Sequence, residues 1–98
     1  MVIHVLDIVK ACNTAAQGAE VASAVRRALE NGQSVTLSFE GVNETPSSFI
    51  NSSIVDLVYN DPPEALRERL LISNITDQIA TMITRCLRNG RNASTAVA

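Results

Sequence analysis

Apolar positions along this chain switch repeatedly from the alternation of a strand to the stripe of a helix. Val2 to Val9 is apolar and β-branched, with His4 and Asp7 as polar interruptions, and reads as a first strand. The small, polar stretch from Lys10 to Gly18 reads as a loop or a poorly ordered helix start. Val21, Val25, Ala28 and Leu29 then stand at i, i+4, i+7 and i+8, one face of a helix, with Arg26, Arg27 and Glu30 off that face. Asn31-Gly32 ends this helix, because glycine accepts the left-handed conformation that commonly follows a last helical turn.

Ser34 to Phe39 alternates strictly, with Val35, Leu37 and Phe39 on one face and Ser34, Thr36 and Ser38 on the other. The polar turn Glu40 to Pro46 leads to a second helix from around Ser48 to Tyr59, with Ile50, Ile54, Leu57 and Val58 as its buried stripe. Asn60-Asp61-Pro62-Pro63 is expected to stop it, since proline disfavours helical geometry in the residue before it. Glu64 to Glu68 suits a helical turn, and Leu70, Leu71 and Ile72 fit a third core strand ending near Ser73-Asn74. In the last helix, Ile75, Ile79, Met82, Ile83 and Cys86 line one face, and Asp77, Gln78, Thr81, Thr84 and Arg85 the other. Thr76 or Asn74 is expected to cap its start, Arg85 and Arg88 to favour its C-terminal dipole, and Gly90 to end it.

Strand and helix therefore alternate in an α/β order, which calls for parallel strands joined by right-handed crossovers. A central parallel strand covered on both faces should be apolar throughout. The half-polar second strand instead predicts a single-wound (β/α) superhelical layer, a small, mainly parallel sheet with helices mostly on one face. One domain is expected over residues 1–90, with residues 91–98 as a disordered tail.

Composition narrows the function. Of 98 residues, 46% are hydrophobic and 18% charged, enough apolar content to fold. The net charge of −2 supplies no broad basic field, so no nucleic-acid partner is expected. No apolar run reaches the roughly 18 residues of a spanning helix, and the start lacks a secretory signal, so a cytoplasmic protein with no membrane partner is expected. Cys12 and Cys86 form no metal or redox motif and read as buried, reduced thiols.

Candidate chemistry concentrates at Ser47-Ser48, where a strand hands over to a helix N-terminus, a place suited to negative charge. Ser47 is expected to cap that helix, and is also the candidate phosphoacceptor, with Ser48 beside it in the first turn. Phe49 reads either as the edge of the buried face or as a docking residue. His4 is the lone histidine, and nothing in the spacing brings it to a serine and a carboxylate. No catalytic residue, cofactor or metal site is expected.

A strand, a polar turn and Ser-Ser at a helix start together resemble the STAS domain of bacterial anti-sigma-factor antagonists. More closely, Gly41, Ser47, Ser48 and Phe49 are similar to the Gly-x-x-x-x-x-Ser-Ser-Phe pattern of STAS-like domains of unknown function. Gln17-Gly18-Ala19-Glu20 and Asn31-Gly32 also fit, and the resemblance covers roughly Gly18 to Gly90. It implies a (β/α) fold that works by binding partners. In the antagonists, a kinase-like partner phosphorylates the first serine of an Asp-Ser-Ser-Gly turn. Ser47 matches that serine, while Pro46 and Phe49 replace the flanking Asp and Gly.

The resemblance implies a non-enzymatic regulatory interaction module. Its expected contact surface is Asn43, Glu44, Thr45, Pro46, Ser47, Ser48 and Phe49. A histidine-kinase-like ATPase or other signalling protein is the implied partner, and the open sheet face offers a route to homo-oligomers. The competing expectations are a small-molecule or nucleotide sensor, with an anion at the helix N-terminus, and a structural subunit of a larger assembly.

Overall fold

The computed structural model describes residues 1–60 and 69–97, so the expected proline stop and the helical turn at 64–68 lie outside the described residues. Strands β1 (Val2–His4), β2 (Val35–Ser38) and β3 (Leu70–Ser73) form one parallel sheet in the order β1-β2-β3. A single turn, α1 (Val5–Ile8), and the long α2 (Ala15–Glu30) connect the first two strands. After β2, helix α3 (Ser47–Ile50), a π-helical turn (Asn51–Val55) and α4 (Asp56–Asn60) run on without a break. Helix α5 (Asp77–Val97) follows β3. This is the expected α/β layer: strands added side by side, with helices packed on one another across one face.

The register explains the sidedness. Ile3, Leu37 and Ile72 align and share a face, as do Val35 and Leu70, and Leu37 and Val35 are fully buried there. Against this face lie Val21, Val25 and Leu29 of α2, Ile54 and Leu57 of the second helix, and Ile79 of α5, all in one core. Each such buried side chain contributes about 1.5–3 kcal/mol. On the opposite face Val2, Thr36 and Leu71 align, and Val2 and Leu71 are 58% and 63% exposed. That face is open, as the alternation of β2 predicts. Ser38 departs from the pattern: it is buried, because the Asn74 side chain crosses over and donates to its Oγ at 2.8 Å.

The expected strand Val2 to Val9 is cut short. It ends at His4, and the chain winds into α1, with the Val9 N–H donating to the Val5 carbonyl at 3.1 Å. In a strand Val5, Asp7 and Val9 would share a face; the helical turn buries the two valines and turns Asp7 out to solvent. The stretch read as a loop or poorly ordered start instead ends in a defined cap. Thr14 Oγ1 accepts from the Gln17 N–H at 3.2 Å, and Gln17 Oε1 accepts from the Thr14 N–H at 3.1 Å, a reciprocal capping box. The stop after α2 is as expected, with Gly32 at φ 83°.

Gly90 does not end the last helix, which continues to Val97. A lone glycine costs a helix about 1 kcal/mol relative to alanine but does not break it without a proline or a competing turn. Arg85 and Arg88 therefore lie in the middle of α5, not at its C-terminal end, and its last turn holds no basic residue.

Gly18 lets α2 cross the π-helical turn at near-backbone contact. A Cβ there would lie 1.9 Å from Ser52 Oγ and 2.5 Å from the Phe49 carbonyl oxygen. The π turn leaves carbonyls without their usual helical donors, and two serines supply them. Ser53 Oγ donates to the Phe49 oxygen at 2.7 Å, and Ser52 Oγ to the Ser48 oxygen at 2.9 Å. Arg26 of α2 pairs with Asp56, the first residue of α4, at 2.9 Å. The Arg69 guanidinium donates to the Leu29 and Gln33 carbonyls, placing a cation at the C-terminal end of α2.

Candidate functional site

The turn between β2 and α3 is held in place from both ends. It leaves the sheet through Phe39, fully buried, and reverses at Glu40-Gly41, where the Val42 N–H donates to the Phe39 carbonyl at 2.9 Å. Gly41 has φ 87°, a conformation that strains any side chain; its Cβ would also meet Leu6 Cδ1 at 2.9 Å, the end of an exposed side chain that can move aside. Val42 then returns to the core.

Helix α5 fixes the next residues. The Gln78 amide grips Thr45 at both ends of its peptide unit: Oε1 accepts from the Thr45 N–H at 3.0 Å, and Nε2 donates to the Thr45 oxygen at 3.1 Å. Thr76 Oγ1 donates to the Asn43 carbonyl at 2.7 Å and accepts from the Ile79 N–H at 3.3 Å, so it caps α5 and anchors the turn together. Thr76 thus takes the capping role that the sequence shares between it and Asn74. Asn74 instead adopts φ 56° and directs its amide to Ser38.

Gln78 was assigned to the outer face of α5 by periodicity, and no pattern in the chain singles it out. Replacing it with alanine should leave the Thr45 peptide groups unpaired and cost about 2 kcal/mol. Faster amide hydrogen exchange at Thr45, with the α2 amides unchanged, is the expected readout; an unaltered Thr45 rate would show that the clamp does not hold the turn.

The serines themselves are placed differently from expectation. Pro46, in extended conformation at φ −78° and ψ 163°, is the N-cap, and no side chain caps α3. Ser47 and Ser48 are the first two helical residues, both exposed, and neither hydroxyl hydrogen-bonds to a described residue. Ser47 is therefore not the cap. A side chain at the first helical position points away from the free N–H groups that a cap residue reaches.

The other expected contact residues divide by burial. Asn43, Glu44 and Pro46 are exposed beside the serines, whereas Thr45 and Phe49 are buried beneath them. Phe49 packs edge-to-face on Phe39, ring centroids 6.4 Å apart. The Thr45 hydroxyl is buried with no partner among the described residues, so the turn keeps its shape at the expense of one desolvated donor.

Charge around the serines is one-sided. Glu40, Glu44 and Asp77 are exposed there, and no Lys or Arg occurs between Arg27 and Arg67. A phosphoryl group on Ser47 would meet the positive end of the helix but no cation from its own segment.

A family model described as a STAS-like domain of unknown function (DUF4325) matches residues 17–80. The chain belongs to this STAS-like family. No curated protein and no solved structure matches it. The STAS-like match begins at Gln17 of the capping box and ends just past Gln78, so it contains the whole turn and the residues that clamp it.

Other groups in this STAS-like domain form no site. His4 Nδ1 lies 3.8 Å from Glu40 Oε2 at the exposed edge of the sheet. Among the described residues no group of His, Cys, Asp and Glu side chains could hold a metal, and no helix is long and apolar enough to cross a membrane. Cys12 and Cys86 are free and buried. Burial pushes both thiols above their ordinary range, with Arg85 pulling Cys86 partly back, so neither is poised as a nucleophile.

Proposed function

We propose that this STAS-like domain is a non-enzymatic regulatory module that acts through protein–protein contact, with Asn43, Glu44, Pro46, Ser47 and Ser48 as its contact surface and Ser47 as a phosphoacceptor. The observation that carries this reading is the state of the serine hydroxyls. They are exposed and unbonded at a helix start where Pro46, not a serine, occupies the N-cap position, on a turn that α5 anchors by hydrogen bonds. Nothing in the fold uses them. A modification there changes the surface without disturbing the core, because the acidic surroundings leave the phosphoryl group displayed outward. The resemblance of the Ser-Ser turn to that of the antagonists points to a histidine-kinase-like ATPase or other signalling protein as the partner.

Ser47→Ala is the test. The variant should keep its stability to within about 0.5 kcal/mol, since no cap bond is lost. Intact-mass measurement of protein purified from its own host should show one phosphoryl group on the wild type and none on Ser47→Ala. A wild type that is unmodified and carries no co-purifying partner would sink the proposal. A stability loss near the ~1 kcal/mol of a helix cap would return Ser47 to a structural role.

A further inference from the structure

The outer face of α5 carries a pattern that the Ser47 reading does not use. Asp77, Thr81, Thr84, Arg85 and Arg88 fall at i, i+4, i+7, i+8 and i+11, a single stripe on the side away from the buried Ile79 and Cys86 and the partly buried Met82 and Ile83. All five are exposed, and Asp77, Arg85 and Arg88 make no ion pair with a described residue. Because the helix runs on to Val97, the two arginines have no terminal dipole to offset. Two adjoining troughs follow the stripe. One, of about 390 Å³, is lined by Ala80, Thr81, Thr84, Arg85 and Arg88. The other, of about 300 Å³, is lined by Asp77, Gln78, Thr81, Met82 and Arg85.

We infer that this face pairs antiparallel with the same face of a second copy of the chain. The charges are the reason. An antiparallel arrangement centred between Met82 and Ile83 sets Asp77 of each copy opposite Arg88 of the other. The same register sets Ala80 opposite Arg85 and Thr81 opposite Thr84, so each long guanidinium stem meets the smallest side chain of the stripe. Every charge opposition is attractive, and it occurs twice by symmetry. A parallel pairing would instead set Asp77 against Asp77 and Arg88 against Arg88. At the centre of the stripe the Thr84 hydroxyl already donates to the Ala80 carbonyl at 3.0 Å, and the facing Thr81 hydroxyl is within the pair's reach as a partner across the two-fold. This surface adjoins the Ser47 turn at Asp77, between the anchoring Thr76 and Gln78, but its readout is self-association and not modification of Ser47, so the two readings fail independently.

Sedimentation equilibrium of the full chain over a range of concentrations, at low ionic strength, reads the association directly. The wild type should form a dimer that weakens with added salt. Asp77→Arg and Arg88→Asp should each raise the dimer dissociation constant by roughly tenfold or more, because two attractive pairs become repulsive. An equal mixture of these two variants should restore a one-to-one dimer, since every opposition is again attractive. Circular dichroism melting checks that each variant is folded, with Asp77→Lys and Arg88→Glu as the replacement pair if one is not. A wild type that stays monomeric, single variants that dimerise as tightly as the wild type, or a mixture that fails to recover would each overturn the inference. Dimerisation that persists in both single variants would place the contact elsewhere, for example on the open sheet face.

Discussion

Gly18→Ala should lower the stability of the domain by about 3 kcal/mol, an effect at the upper end for adding a single methyl group to a packed interface. In a helix, glycine to alanine ordinarily stabilises by up to about 1 kcal/mol. Here the new carbon would meet Ser52 Oγ at 1.9 Å and the Phe49 carbonyl oxygen at 2.5 Å. The serine hydroxyl can rotate away, at the cost of its bonds to the Ser48 and Phe49 carbonyls. The carbonyl cannot, because it belongs to the backbone of a helix whose Phe49 and Ile50 are fully buried. Helices α2 and α3 must therefore separate. Urea unfolding of the wild type, Gly18→Ala and Gly18→Ala with Ser52→Ala separates the two contacts. The double variant should recover only part of the loss, since the carbonyl contact remains. Full recovery would show that the serine alone set the crossing distance, and a single variant as stable as the wild type would show that the helices do not approach this closely.

Phe49→Ala should cost about 3–5 kcal/mol, the range for truncating a buried phenyl ring. The ring is fully buried, and its edge-to-face contact with Phe39 adds about 0.5–1.5 kcal/mol beyond area alone. For a domain of this size such a loss lowers the melting temperature by on the order of 20 °C. Calorimetry of Phe49→Ala and Phe49→Leu measures it, with the leucine variant expected to retain more than half of the difference. The comparison also decides between the two roles the sequence leaves open for Phe49. A docking aromatic would leave the melting temperature nearly unchanged when truncated, and weaken only a partner contact.

What the sequence made legible follows from what its patterns encode. Hydrophobic period finds faces, and it places Val21, Val25, Ala28 and Leu29, then Ile50, Ile54 and Leu57, where they lie; it finds the span of β3 but not its burial, since Leu71 is 63% exposed on the open face. The alternation of β2 was enough to predict a sheet with one open face, and the Ser-Ser-Phe turn was enough to find the family. Period does not find boundaries set by single hydrogen bonds. The end of β1 at His4 depends on a local choice between two periods that Val5 and Val9 fit equally, and that only the exposed Asp7 between them decides. The displacement of the cap from Ser47 to Pro46 is a shift of one residue, invisible to a stripe. Gln78 was hidden for a further reason: its partner is the backbone of Thr45, and a peptide group carries no residue-specific signal. The capping box Thr14-x-x-Gln17 was readable in principle, since that pairing is a known helix-start signature.

The order β1-β2-β3 also governs how the chain can assemble in time. Every strand in the sheet pairs only with its neighbour in sequence, and each pairing spans a complete helical crossover. No hairpin exists among the described residues to close a short loop first, so sheet formation is slowed by long-range loop closure. During synthesis β1 and α2 emerge as a half-unit with Val21, Val25 and Leu29 uncovered, and β1 has no partner until β2 follows. Among the described strands only β2 pairs on both sides, so neither half of the sheet closes without it. Changes at Leu37 should therefore slow folding more than changes on α5, which packs after the last strand has joined.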